Sequence, residues 1–169
     1  MTSFSEKLNK LCKEMLNQGY NYASLKNLNN NSEFKFTLPS KTSSKPISEC
    51  LYFSKIITED TQTIPEWYDW ITYENFYIDK YNKCDIIFAK FNENELKNLA
   101  EFKSTYFKEM TFLKFYDWNM ISNNCNGIIV NSNDVVWDIH QIVIWNCKAI
   151  KDFKIYNNNF ELLKDFRLV

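Results

Sequence analysis

Two short runs near the C-terminal end constrain the fold most: Cys125-Asn126-Gly127-Ile128-Ile129-Val130-Asn131 and Gln141-Ile142-Val143-Ile144-Trp145-Asn146. β-Branched side chains lose rotamer freedom against a helical turn and pack well on a pleated surface. Continuous apolar runs of this length suit strands buried on both faces. A polar stretch separates them, and the second ends on one of only five tryptophans. The spacing predicts a neighbouring pair of strands inside a packed sheet.

A chain of 169 residues suits one domain, and its content of hydrophobic residues (45%) and aromatics (17%) is ample for a core. No apolar run reaches the roughly 18 residues of a membrane span, and the N-terminus lacks a signal-peptide pattern. A soluble cytoplasmic protein is expected. The five cysteines (Cys12, Cys50, Cys84, Cys125, Cys147) form no C-x-x-C pair, which argues against disulfides and zinc. Arg167 is the single arginine among 20 basic residues, and 21 acidic residues balance them. Bidentate reading of guanine or phosphate is an arginine task, so sequence-specific DNA recognition is disfavoured and RNA contact is expected to be weak.

Along the chain, Ser3-x-x-Glu6 forms a capping box before an apolar repeat at Phe4, Leu8, Leu11, Cys12, Met15 and Leu16. This predicts a helix over 4–18, with Gly19 just past its end. Residues 20–33 read as a polar connector and 41–48 as a loop. Strands are expected at 33–39, 50–57 and 85–90, then at 126–131 and 140–146. A helix is expected to open at Thr63-Ile64-Pro65-Glu66, and another to run over 92–114 on the spacing of Leu96, Leu99, Ala100, Tyr106, Phe107 and Met110. Residues 112–120 fit strand or helix equally. A final helical or mixed segment reaches 163, followed by an exposed tail at 164–169. The order gives one α+β domain over 1–169.

The strand pair resembles the end of the sheet in the translation initiation factor 4E (cap-binding) family. There a Cys-Gly-x-Val-Val-Asn-like strand precedes a strand ending Ile-x-Ile-Trp. Leu51-Tyr52-Phe53-Ser54-Lys55, Glu66-Trp67-Tyr68-Asp69-Trp70 and Cys84-Asp85-x-x-Phe88 add to the likeness, which spans about 34–160. It implies a curved antiparallel sheet backed by about three helices on one face, to which this chain adds its N-terminal helix. It also implies a partner-binding aromatic patch at Trp67, Tyr68, Trp70 and Tyr73. On the expected helix, Trp67, Trp70, Ile71 and Tyr73 can share a face that buries against the sheet, while Tyr68 points elsewhere.

The same likeness shows what is missing. Family members grip a methylated guanine between two tryptophans and hold its phosphates with Arg and Lys. Here the loop 41–48 has no aromatic, and Phe91-Asn92-Glu93 stands near the expected Trp-Glu. The turn 131–140 carries Asn133, Asp134 and Asp138, and Gln141 replaces a usual Lys. Losing one stacking platform and two phosphate contacts costs about 4–9 kcal/mol. The sequence therefore predicts a degenerate cap pocket: a non-enzymatic, translation-associated binding or regulatory protein docking on the ribosome or initiation complex. One alternative is a divergent cap or nucleotide binder stacking on Phe91, Trp118 or Trp137, with Lys148, Lys151 and Lys154 near phosphate. Another is an unrelated protein–protein interaction factor.

Catalytic chemistry is scarce. Two glycines permit no phosphate-binding loop, and a sole histidine, His140, excludes two-histidine metal motifs. His140 with Cys125 or Cys147 is the one nucleophile–base combination available. No catalytic residue, cofactor or metal is expected.

Overall fold

The computed structural model describes residues 3–28, 34–46, 48–59, 61–68, 83–107, 110–131 and 139–167. The architecture is α+β, with mostly antiparallel strands and an N-terminal helix. The chain divides into two compact units built from interleaved segments: Met1–Glu33, Phe53–Phe91 and Ile150–Val169 in one, Phe34–Tyr52 and Asn92–Ala149 in the other.

In the first unit, helix α1 (Phe4–Asn17) is capped as its sequence predicts, Ser3 Oγ accepting from the Glu6 amide. Its end is closed by Gly19 at φ 89°, with the Gly19 and Tyr20 amides donating to Leu16 and Met15 carbonyls. Two orphan carbonyls are thereby satisfied, and glycine adopts that left-handed φ without a Cβ clash. Strands β1 (Tyr22–Lys26), β3 (Leu51–Glu59, in this unit from Phe53), β4 (Gln62–Pro65), β5 (Asp85–Phe91), β11 (Ile150–Tyr156) and β12 (Leu162–Arg167) run antiparallel, ordered β12-β11-β5-β1-β3 with β4 beside β3. The register sets Ala23 against Phe88, and that face packs on α1 through Leu8, Leu11, Cys12, Met15, Ile56, Ile86 and Phe88.

In the second unit, β9 (Gly127–Val130) and β10 (Gln141–Ile144) pair antiparallel, and β6 (Leu96–Asn98) joins β9 in parallel. A separate ladder joins β2 (Thr42–Ser43), β8 (Met110–Asp117) and β7 (Ser104–Phe107). Helix α2 (Trp118–Asn124) starts where Asp117 accepts from the Met120 amide. Its core gathers Trp118, Trp145, Ile121, Ile128, Val143 and Leu99.

Six sequence expectations change. The loop 41–48 contains the short strand β2, paired to β8. The connector 20–33 contains β1, held between β3 and β5. Residues 33–39 form no strand among the described positions: Phe34 and Phe36 are half-buried and Leu38 is exposed. Thr63–Pro65 belongs to β4, with only 66–68 helical before the described residues stop. The helix expected at 92–114 is two 3-10 turns and strands β6 and β7 leading into β8. Asn98 accepts from the Ala100 amide there, a local bond that competes with helix, and Thr105, Tyr106, Phe107, Thr111 and Phe112 favour strand. The helical C-terminal segment and the tail as far as Arg167 form the hairpin β11–β12.

Candidate functional site

The hairpin β11–β12 is turned by Asn157, whose side chain accepts from the Asn159 and Glu161 amides while its carbonyl accepts from Phe160. Phe160 adopts φ 63°, a costly conformation for a bulky residue, and its ring packs 5.1 Å from Phe4. The Asn run is thus a specific turn rather than a compositional accident. It delivers β12 to the rim of the unit, paired on one side to β11, with no strand on its other side among the described residues.

That strand is unusual. Of the five large apolar residues exposed among the described residues, three lie on it: Leu162 (51%), Leu163 (44%) and Phe166 (41%). Phe166 stacks on Phe153 across the hairpin at 5.1 Å and 19°, and Lys164 Nζ lies 5.9 Å over the Phe153 ring. On the opposite face Asp165 lies 4.0 Å from Lys154, a lysine only 6% exposed that also donates to Gln18 Oε1 at 2.6 Å. The edge is therefore fixed from behind while its outer row of N–H and C=O groups faces outward. Such an edge is a template for a further strand, and a charged pair at its centre restrains indiscriminate pairing.

The residues singled out by sequence fall elsewhere. Trp67 is half-buried on the first unit's core, its amide donating to Ser54 Oγ. Tyr68, expected in the partner patch, is buried beneath Phe4 with its hydroxyl 3.0 Å from Ser5 Oγ, so it serves the core and cannot anchor a partner. Burial raises its phenol pKa. Trp70, Tyr73 and Trp137 lie outside the described residues. Phe91 is half-buried, packed edge-on with Tyr22 and Phe53 at 5.7 and 5.1 Å. Trp118 is fully buried, its indole N–H donating to the Ser43 carbonyl and its ring against Tyr116 and Trp145. No base can stack there. Lys148 and Lys151 are exposed, whereas Lys154 is held inside and is not available to phosphate.

The pairing of His140 with Cys125 gains no support from local chemistry. Burial pushes the Cys125 thiol pKa up, and the thiol donates to the Ile121 carbonyl. A raised thiol pKa opposes the thiolate that attack requires. His140 Nδ1 bonds Asn131 Oδ1 at 3.0 Å. Cys12 is likewise pushed up to about 12 by burial.

Sequence reasoning missed β12 because Leu162-Leu163-Lys164-Asp165-Phe166-Arg167 has neither strict alternation nor β-branched residues. The available signal was the Asn157-Asn158-Asn159 turn ahead of it. Comparison with known proteins finds no family model that matches this chain, and no similar curated protein or solved structure.

Proposed function

We propose that this chain is a non-enzymatic binding protein that receives an extended segment of a protein partner along the open edge of β12. The observation that carries the reading is the concentration of Leu162, Leu163 and Phe166 on one exposed edge strand. Main-chain bonds to a partner strand supply affinity, and the alternating side chains supply selectivity. The likeness to the initiation factor 4E family directs the search for that partner to the ribosome or initiation complex. The burial of Trp118 and Trp145 supports docking without the family's grip on the cap, since neither ring can face a base.

Two measurements test this. Tagged protein is expected to co-sediment with ribosomal or initiation complexes, and the pair Leu162→Lys with Leu163→Glu is expected to abolish this. Both side chains are exposed, so the melting temperature should barely move; surface changes stay within about 0.5 kcal/mol. Co-sedimentation unchanged by the pair would refute the edge, and none at all would refute the link to translation. The protein is also expected to flow through cap-analogue resin, and salt-resistant retention would show a working cap pocket.

A further inference from the structure

We infer that the cavity beside the end of α1 binds a small hydroxylated oxyanion, a sugar phosphate or hydroxy acid, with Lys90 holding the anion and Asp152 a hydroxyl. The cavity has a volume of about 350 Å³ and is lined by Gln18, Tyr20, Lys90 and Asp152, all in the first unit. That volume lies at the small-metabolite end of ligand sites.

Its walls follow from the register. Lys90 on β5 stands opposite Asp152 on β11, and Lys154 follows two residues later on the face that carries α1. Asp152 sits opposite Lys90, yet the Lys90 ammonium lies over the Tyr20 ring, 4.7 Å from its centroid, and Lys154 Nζ lies 5.8 Å from the same centroid. Tyr20 is only 2% exposed, so the ring is a fixed floor. The two ammonium groups differ in state. Lys154 is committed to Gln18 Oε1 and Asp165. Lys90 is half-buried, and among the described residues its one close partner is the ring face.

An ammonium carries three N–H donors, and an aromatic face engages its charge without accepting all three. A partly desolvated cation with spare donors on a cavity wall is suited to an oxyanion, where charge-assisted bonds are strong. Asp152 on the same wall repels a bare anion but accepts from hydroxyl groups. The combination selects a ligand that carries both. Gln18 is oriented by Lys154 through its carbonyl oxygen, which leaves its amide N–H₂ as a further donor.

Calorimetric titration of the intact protein with ribose 5-phosphate, gluconate and inorganic phosphate separates the sources. Saturable binding of ribose 5-phosphate or gluconate is expected, and which one binds identifies the oxyanion. Lys90→Met should weaken it about tenfold or more, and Lys90→Arg should largely preserve it. Lys90→Gln replaces the Met variant if that one fails to fold. Asp152→Asn should weaken the hydroxylated ligand while strengthening inorganic phosphate, from which it lifts the like-charge repulsion. The pair Leu162→Lys with Leu163→Glu should leave all these titrations unaltered, which keeps this site's test apart from that of the β12 edge. No saturation by either hydroxylated ligand at millimolar concentration, affinity indifferent to Lys90→Met, or equal response of both ligand types to Asp152→Asn would overturn the inference.

Discussion

Trp145→Ala is expected to lower stability by about 3–5 kcal/mol, at the upper end of that range. The indole is 1% exposed in the second unit's core, 6.4 Å from Trp118 in an edge-on arrangement. Its Nε1–H donates to the Cys125 carbonyl at 3.0 Å, and its amide donates to the Asn126 carbonyl at 3.2 Å. One residue therefore fastens the start of β9 to the end of β10 through side chain and backbone together. Alanine leaves a large void and orphans a buried carbonyl, and burying an unsatisfied acceptor costs about 1–3 kcal/mol by itself. Trp145→Phe weights the two effects differently, since it removes the donor with the five-membered ring but keeps a six-membered ring to fill most of the void. Its loss should be well under that of alanine. Urea unfolding followed by circular dichroism checks both. Total stabilities of about 5–15 kcal/mol make the alanine loss a large shift in midpoint. A loss under about 1.5 kcal/mol would mean the cavity collapses around the missing ring, and Trp145 would not be the fastening of this hairpin.

The same hairpin explains what could be read from the chain in advance. β9, β10, β3 and β5 are runs of apolar and β-branched residues whose own preferences agree with their burial, and α1 carries its cap and its glycine. Where local preference and tertiary position disagree, reading failed. β1, Tyr-Ala-Ser-Leu-Lys, is a weak strand former beside an Asn-rich stretch. It is a strand because β3 and β5 flank it and leave Ala23 and Ser24 at 1% and 5% exposure. Only small side chains fit there, so the sequence looks polar where the packing is tightest. At 92–114 the opposite happened. Apolar residues from three strands and one 3-10 turn fell by chance on a helical period, and the period concealed the Asn-capped turn. The candidate edge was illegible for a third reason. Exposed strands need no apolar face, so β12 resembles a tail until β11 is placed beside it. Sequence placed aromatics and lysines by type, and only burial sorted Trp118, Tyr68 and Lys154 into the interior.

Gly127→Ala is expected to cost about 1–3 kcal/mol, despite adding a single methyl group and removing chain entropy from the unfolded state. A Cβ built at this position lies 2.7 Å from Leu96 Cδ2, 2.7 Å from the Val143 carbonyl oxygen and 2.8 Å from Ile144 Cγ2. Gly127 sits between its partner Ile144 on β10 and its parallel partner Leu96 on β6, so the missing side chain is what lets both strands close on β9. The three obstacles are not equivalent. Leu96 can rotate, whereas the Val143 oxygen belongs to β10 itself and moves only if the ladder opens. A double-mutant cycle with Leu96→Ala distinguishes relief from rupture. Removing the leucine side chain should recover part of the Gly127→Ala loss, giving a coupling of at least about 0.5 kcal/mol. The remainder should persist, because the carbonyl stays in place. Strict additivity in thermal or urea unfolding would show that the clash is taken up by the backbone alone. A complete rescue would show that β10 carries no strain from the added methyl. Between those limits, the measured fraction reports how firmly this pair of strands is held, which is the property that let two short β-branched runs announce a sheet.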